Sequence, residues 1–221
     1  MDGKQERYSS GGEGVNFNSY YLGNPNAEKK ILLVGNSITW HEPNPAIGWD
    51  GDWGMAASAP EKDYAHRLYD LLVESGEDVL LRVSRCKKWE LNMDEPNVLH
   101  RFDDERAFDA DVVVFRLGEN VPLAQAPIFK DALRAFVKHI CPRGKVLYTT
   151  CFWVNPTLDP IIKEVADERG EKWVNCGFSG DPKMKALGQF AHQGVAAHPN
   201  DAGMFAIAQS IFQGLQEYKA K

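Results

Sequence analysis

Five short, nearly continuous apolar runs, each parted from the next by a stretch of helical periodicity, restrict this chain to one class of fold. The runs are residues 31–36, 79–84, 111–117, 145–152 and 172–176. They are rich in Val, Ile, Leu and Phe and too short for helices, so they read as strands covered on both faces. Between them lie amphipathic stripes: Tyr64, Leu68, Leu71 and Leu72; then Phe129, Leu133, Phe136, Val137 and Ile140; then Ile161, Ile162, Val165 and Ala166. A last stripe runs through Met204, Ile207, Ala208, Ile211, Phe212, Leu215 and Tyr218, close to a 3.6-residue period. Pro127 and Pro142 bracket the second stripe, at start and stop positions. Strands alternating with helices build βαβ units and a parallel sheet. The expectation is an α/β chain: a flavodoxin-like three-layer α/β/α sandwich with a five-stranded parallel sheet in the order 2-1-3-4-5.

Residues 1–28 are rich in Gly, Ser, Asn and charge, and read as a flexible leader whose end packs on a single domain spanning 29–221. At 221 residues the chain is long enough for one full core, and 43% hydrophobic residues argue against disorder. The net charge of −6 and the lack of a Lys/Arg cluster give no support for nucleic-acid binding. No apolar run approaches the ~20 residues of a membrane helix. The first residues lack the apolar core of a signal peptide. Cys86, Cys141, Cys151 and Cys176 match no zinc spacing and read as buried free thiols, which favours a cytoplasmic setting. No cofactor and no metal is expected, and the oligomeric state is left open.

In a parallel α/β sheet the ligand site lies outside the carboxyl ends of the strands, at the crevice where the order reverses. The first and third runs flank that crevice. The first ends in Gly35-Asn36-Ser37 and the third in Gly118-Glu119-Asn120. Ser37 is a candidate nucleophile, or else an ordinary turn or cap serine. A helix starting after it would aim backbone N–H groups at a developing oxyanion. Asn120 could donate its amide to that oxyanion, or serve a turn before Pro122. His198, just before the last helical stripe, is the candidate general base, with Asn200 or Asp201 capping the helix that follows. His41 is a rival base, and His192 a supporting group. Two histidines near Asp201 fit no metal-ligand signature.

Two long irregular insertions, 40–60 and 86–107, hold Trp40, Trp49, Trp53 and Trp89. Such loops at a ligand-binding end build pockets. Trp40 and Trp53 could stack on a sugar face, and Glu119, Glu90 and Arg116 could bond its hydroxyls.

Together the three motifs resemble those of the SGNH hydrolases, the GDSL-like esterase and lipase superfamily. The first block matches Gly35-Asn36-Ser37-Ile38-Thr39, with Asn36 where aspartate is usual. The third matches Gly118-Glu119-Asn120, and the last His198-Pro199-Asn200-Asp201-Ala202-Gly203. The resemblance implies Ser37 as nucleophile, His198 as base, and an oxyanion site from the Ser37 N–H and the Asn120 amide. Two departures stand out. The aspartate usual three residues before the histidine is Val195 here, so Glu119, Asp201 or a backbone carbonyl must orient the ring. The glycine of the second block is missing from Val83-Ser84-Arg85-Cys86-Lys87-Lys88, with Gly54 a substitute donor. The implied activity is hydrolysis of short acyl esters, acetyl foremost, on a small-molecule or carbohydrate substrate. The alternatives are a noncatalytic carbohydrate-binding relative, and an acyltransferase using the same residues.

Overall fold

The computed structural model describes residues 19–219. Six strands make one sheet: β1 Ser19–Gly23, β2 Lys29–Gly35, β3 Val79–Arg85, β4 Val112–Arg116, β5 Lys145–Thr149 and β6 Lys172–Val174. Their order is β1-β3-β2-β4-β5-β6. From β3 to β6 every neighbouring pair is parallel, the order 2-1-3-4-5 counted over the parallel strands alone. The expected five-stranded, all-parallel sheet is therefore corrected to a mixed sheet of six. The added strand, β1, runs antiparallel along the free edge of β3, with Tyr20 opposite Val83 and Leu22 opposite Leu81. The end of the segment 1–28 thus packs on the domain as a strand; residues 1–18 of that segment lie outside the described residues. The reason is alternation. Tyr20 and Leu22 point inward to a two-residue period and are buried, while Tyr21 lies between them on the other face.

Seven α-helices cover the faces: α1 Tyr64–Glu74, α2 Lys87–Leu91, α3 Asp103–Ala107, α4 Ala126–Ile140, α5 Leu158–Glu168, α6 Gln193–Ala196 and α7 Asp201–Lys219. The same alternation sorts β2 between two cores. Leu32 and Val34 face Trp89, Phe129, Phe136 and Ile162 from α2, α4 and α5. Ile31 and Leu33 face Tyr64, Leu68, Met204 and Ile211 from α1 and α7. All four β2 side chains are fully buried, which is why this strand reads as an unbroken apolar run. Pro127 stands in the first turn of α4, where its missing N–H costs nothing. Asn200 caps α7, its Oδ1 accepting from Ala202 N and Gly203 N at 3.0 Å each.

What positions the site is the register between β2 and β4. Gly35 lies opposite Arg116, so Asn36-Ser37 leaves the sheet level with Leu117-Gly118. Both departures need glycine. A Cβ on Gly35 would fall 1.7 Å from Thr39 Oγ1. Gly118 adopts φ +140°, and a Cβ there would fall 2.7 Å from Cys151 Sγ. No described helix is long and apolar enough to cross a membrane.

Candidate active site

Past β2 the chain forms a turn, not the helix start expected there. Thr39 N and Trp40 N both donate to the Asn36 carbonyl at 3.0 Å. Thr39 is anchored beneath by the Tyr64 hydroxyl at 2.8 Å, and the Ser37 carbonyl accepts from Met55 N at 2.9 Å. Ser37, a half-buried residue, is thereby pinned on both sides.

Across 161 residues of sequence, His198 Nε2 lies 2.9 Å from Ser37 Oγ. On the other side of the ring, Nδ1 lies 2.7 Å from the Gly194 carbonyl. A carbonyl only accepts, so Nδ1 carries the hydrogen. In the neutral ring Nε2 is then the lone-pair nitrogen, and it faces the serine hydroxyl. The backbone carbonyl thus sets the tautomer, the task usually given to an aspartate. Gly194 belongs to the single turn α6, which His192 caps by accepting from Val195 N at 3.4 Å. Val195 itself is buried against Trp49, Met55, Ala56 and Ala186. Neither carboxylate considered for the ring's support takes that role. Asp201 accepts from Ser58 N and Ser58 Oγ at 2.8 and 2.6 Å, and Glu119 is bonded elsewhere. Burial holds the His198 pKa down to about 4, against a smaller upward pull from the Gly194 hydrogen bond. The ring is therefore neutral, able to accept a proton, across the neutral range. The Trp153 ring meets it edge-on, with centroids 5.0 Å apart.

Under the turn lies a buried polar cluster. Arg116, fully buried, donates to Glu119 Oε1 at 2.6 Å and to Asn36 Oδ1 at 3.3 Å. Glu119 also accepts from Phe152 N at 3.0 Å and from Asn36 Nδ2 at 2.6 Å. Glu90 of α2, also fully buried, accepts on Oε1 from Gly118 N at 2.6 Å and Asn120 N at 3.2 Å. Its Oε2 accepts from Asn120 Nδ2 at 2.8 Å. Asn36 Nδ2 lies 3.3 Å from Glu90 Oε1 as well. This explains the departure at position 36. An aspartate there would face two carboxylates, whereas the amide donates to both and offers its oxygen to Arg116.

The cluster corrects part of the expected substrate site. Glu90 and Glu119 have their carboxylate oxygens committed beneath the turn, and Arg116 is fully buried with its Nη1 and Nη2 groups donating to Asn36 and Glu119. Burial first, then the charge of Glu119, pushes the Glu90 pKa up to about 7. Trp40 and Trp53 are half-buried, their indole N–H groups donating to Asp52 at 2.9 Å and to the Ala57 carbonyl at 2.8 Å. Trp53 and Phe190 both pack on Trp49. Gly54 is no oxyanion donor, since its N–H goes to Asp63 at 3.1 Å. His41 turns Nδ1 to the Glu42 carbonyl at 2.6 Å, and burial with nearby Arg85 and Lys87 lowers its pKa to about 4. Among the described residues, the Ser37 N–H and the second hydrogen of the Asn120 amide have no acceptor. Those two donors are free for a developing negative charge. No group of three His, Cys, Asp or Glu among the described residues could hold a metal ion.

A backbone carbonyl was among the supports considered for His198, but not that of Gly194 in particular, and Trp153 was not anticipated. A backbone carbonyl has no signature in sequence. Trp153 did have one, since it follows the β5 run at the carboxyl end of the sheet.

No protein-family model matches this sequence, and no curated protein matches it. Solved structures do match the fold. A catalytic mutant of Axe2, an acetylxylan esterase from Geobacillus stearothermophilus, aligns with a TM-score of 0.55 at 15% identity, over 86% of this chain and 94% of that one. The psychrotrophic esterase EstA from Pseudoalteromonas sp. aligns with a TM-score of 0.58 at 13% identity, over 88% and 100%. A member of the lipolytic protein G-D-S-L family from Veillonella parvula aligns at 0.53 and 16% identity, over 85% and 98%. At these identities the likeness establishes the fold alone, an α/β fold that this chain shares with these esterases and with the G-D-S-L protein.

Proposed function

We propose that this protein is a serine esterase of the SGNH type that hydrolyses short-chain acyl esters, acetyl foremost. The observation that carries the reading is the Ser37 Oγ to His198 Nε2 contact of 2.9 Å, in a ring whose other nitrogen is fixed on the Gly194 carbonyl. Ser37 attacks the ester carbonyl while His198 takes its proton. The tetrahedral oxyanion is met by the Ser37 N–H and the free hydrogen of the Asn120 amide. His198 returns the proton to the leaving alcohol, an acyl-enzyme forms, and water releases the acid by the same steps in reverse. A carbonyl supports the imidazolium less than a carboxylate does, so turnover is slower than a full triad sustains.

A carbohydrate is the favoured alcohol. Trp40, Trp53 and Trp153 are half-buried rings around the serine turn and the histidine. Indole faces suit the C–H surfaces of sugars. The acetylxylan esterase among the structural neighbours agrees with this choice.

The test is hydrolysis of p-nitrophenyl acetate and of an acetylated xylo-oligosaccharide by the wild type and by Ser37→Ala. The variant should lose turnover on both while keeping its unfolding temperature. Undiminished turnover by a folded Ser37→Ala protein removes the serine from the chemistry.

A further inference from the structure

The donors of the Gly118–Asn120 loop converge on Glu90, a residue the sequence reading took for a substrate contact. Its Oε1 gathers the backbone N–H groups of Gly118 and Asn120, and its Oε2 takes one hydrogen of the Asn120 side chain. These contacts fix both the backbone that carries Asn120 and the roll of its amide. With one amide hydrogen held below by a carboxylate, the plane of the group is set and the other hydrogen is directed away from Glu90. Oε1 also touches Asn36 Nδ2, the residue before Ser37, so one oxygen bridges the serine turn and the asparagine loop.

We propose that Glu90 is the positioning residue of the oxyanion site, its carboxylate holding the Asn120 amide in the roll that presents an N–H to the oxyanion. The inference rests on the esterase reading. It assigns Glu90 no contact with substrate and no proton transfer in the reaction.

The carboxylate has to be ionised to do this. Three hydrogens from Gly118 and Asn120 point at its two oxygens, and a proton on either oxygen competes with them. The charged and titratable groups facing it are few. Glu119 stands across Asn36 and raises its pKa; Arg116 lies beyond, paired with Glu119. Cys86 adjoins the start of α2, its buried thiol pushed well up, and the Arg82–Glu105 pair acts on that thiol from behind. None of these offers Glu90 a direct cation. Burial and Glu119 therefore prevail, and the group titrates at about 7, well above His198 at about 4. The wild-type kcat should accordingly rise with pH through about 7, where Glu90 loses its proton, with KM flat. A merely structural carboxylate moves stability and leaves that limb absent.

Glu90→Gln tests the idea by chemistry rather than by size. Whichever way the new amide turns, its NH2 meets a donor: the Asn120 amide in one orientation, two backbone N–H groups in the other. The relief open to the loop is to roll the Asn120 amide over, which withdraws its N–H from the oxyanion. The folded variant should show kcat lowered by about 10²–10³-fold, as when an oxyanion donor is lost. Its KM should stay within about threefold, and its acid limb should move from about 7 toward the His198 value of about 4. Asn120→Ala, at a half-exposed loop position, keeps the test alive should Glu90→Gln not fold. Without the amide, Glu90 still holds the loop backbone but has no oxyanion donor to orient, so the limb near 7 should vanish there too. A folded Glu90→Gln protein with kcat within about threefold of wild type, or an Asn120→Ala profile that keeps the limb, overturns the proposal while leaving the esterase reading intact. Absence of wild-type turnover on every ester overturns both.

Discussion

Replacing Arg116 by methionine should be the most damaging single change in the site that touches no reacting atom. The guanidinium is fully buried, bonded to Glu119 Oε1 at 2.6 Å and Asn36 Oδ1 at 3.3 Å, and it stands 5.9 Å over the Tyr64 ring. It is the one cation in a cluster that also holds Glu90 and Glu119. Methionine has about the right length, so little volume is lost; what disappears is the charge that makes the carboxylates tolerable. Breaking a buried ion pair from one side costs about 3–5 kcal/mol, because the partner is left charged and dry. For a domain of this size about 2–4 °C accompanies each kcal/mol, which places the fall in unfolding temperature at about 6–20 °C at pH 8. The loss must shrink at pH 6, since Glu90 takes up a proton near 7 and relieves the excess negative charge. Arg116→Met combined with Glu119→Gln should recover at least half of the loss, because the charge imbalance is then gone. Differential scanning calorimetry of the three proteins at both pH values makes the comparison. A fall below about 1 kcal/mol in Arg116→Met, equal at the two pH values, would refute the reasoning about the cluster.

Leu22→Ala should cost about 2–5 kcal/mol by denaturant titration, since the side chain is buried in the α1/α7 core and β1 is part of the domain; a loss under about 0.5 kcal/mol would mean β1 is dispensable. Stability should also fall as the pH drops from 6.5 to 4.5. His41 and His198 have folded pKa values depressed to about 4, so the unfolded chain binds protons that the folded one refuses, and each contributes a loss of about 2 kcal/mol over that interval. Glu90 acts in the opposite sense, its raised folded value of about 7 offsetting about 2 kcal/mol of this, and the net loss should be about 2 kcal/mol. Urea titrations of wild type and His41→Gln at the two pH values check it, the variant losing less; equal losses in the two proteins would contradict the role given to His41.

The architecture was legible where the burial of whole runs left one reading. β2 to β5 are buried almost throughout and show as apolar stretches, and the position of Ser37 and Asn120 past the ends of β2 and β4 follows from the crevice rule. β1 was misjudged because five residues in a polar, glycine-rich segment carry only two inward side chains, Tyr20 and Leu22, too few to show a period without the partner strand. Glu90 and Glu119 were taken for solvent-facing groups because a charged residue in a loop usually is. Their burial follows from Arg116, 26 positions after Glu90, and from backbone N–H groups that sequence does not display. The support of His198 was the least readable part. At Val195 the pattern says only that a carboxylate is missing, and the carbonyl one position earlier belongs to a glycine with no side chain to signal it.

The central claim is that Ser37 is a nucleophile activated by His198, and covalent capture tests it most directly. The intact protein is treated with a fluorophosphonate and the modified peptide is located by mass spectrometry, alongside His198→Ala. The account predicts a single adduct on Ser37, formed at least about 10²-fold more slowly in the folded variant. A folded wild-type protein that stays unmodified, or that carries its adduct on another residue, contradicts it.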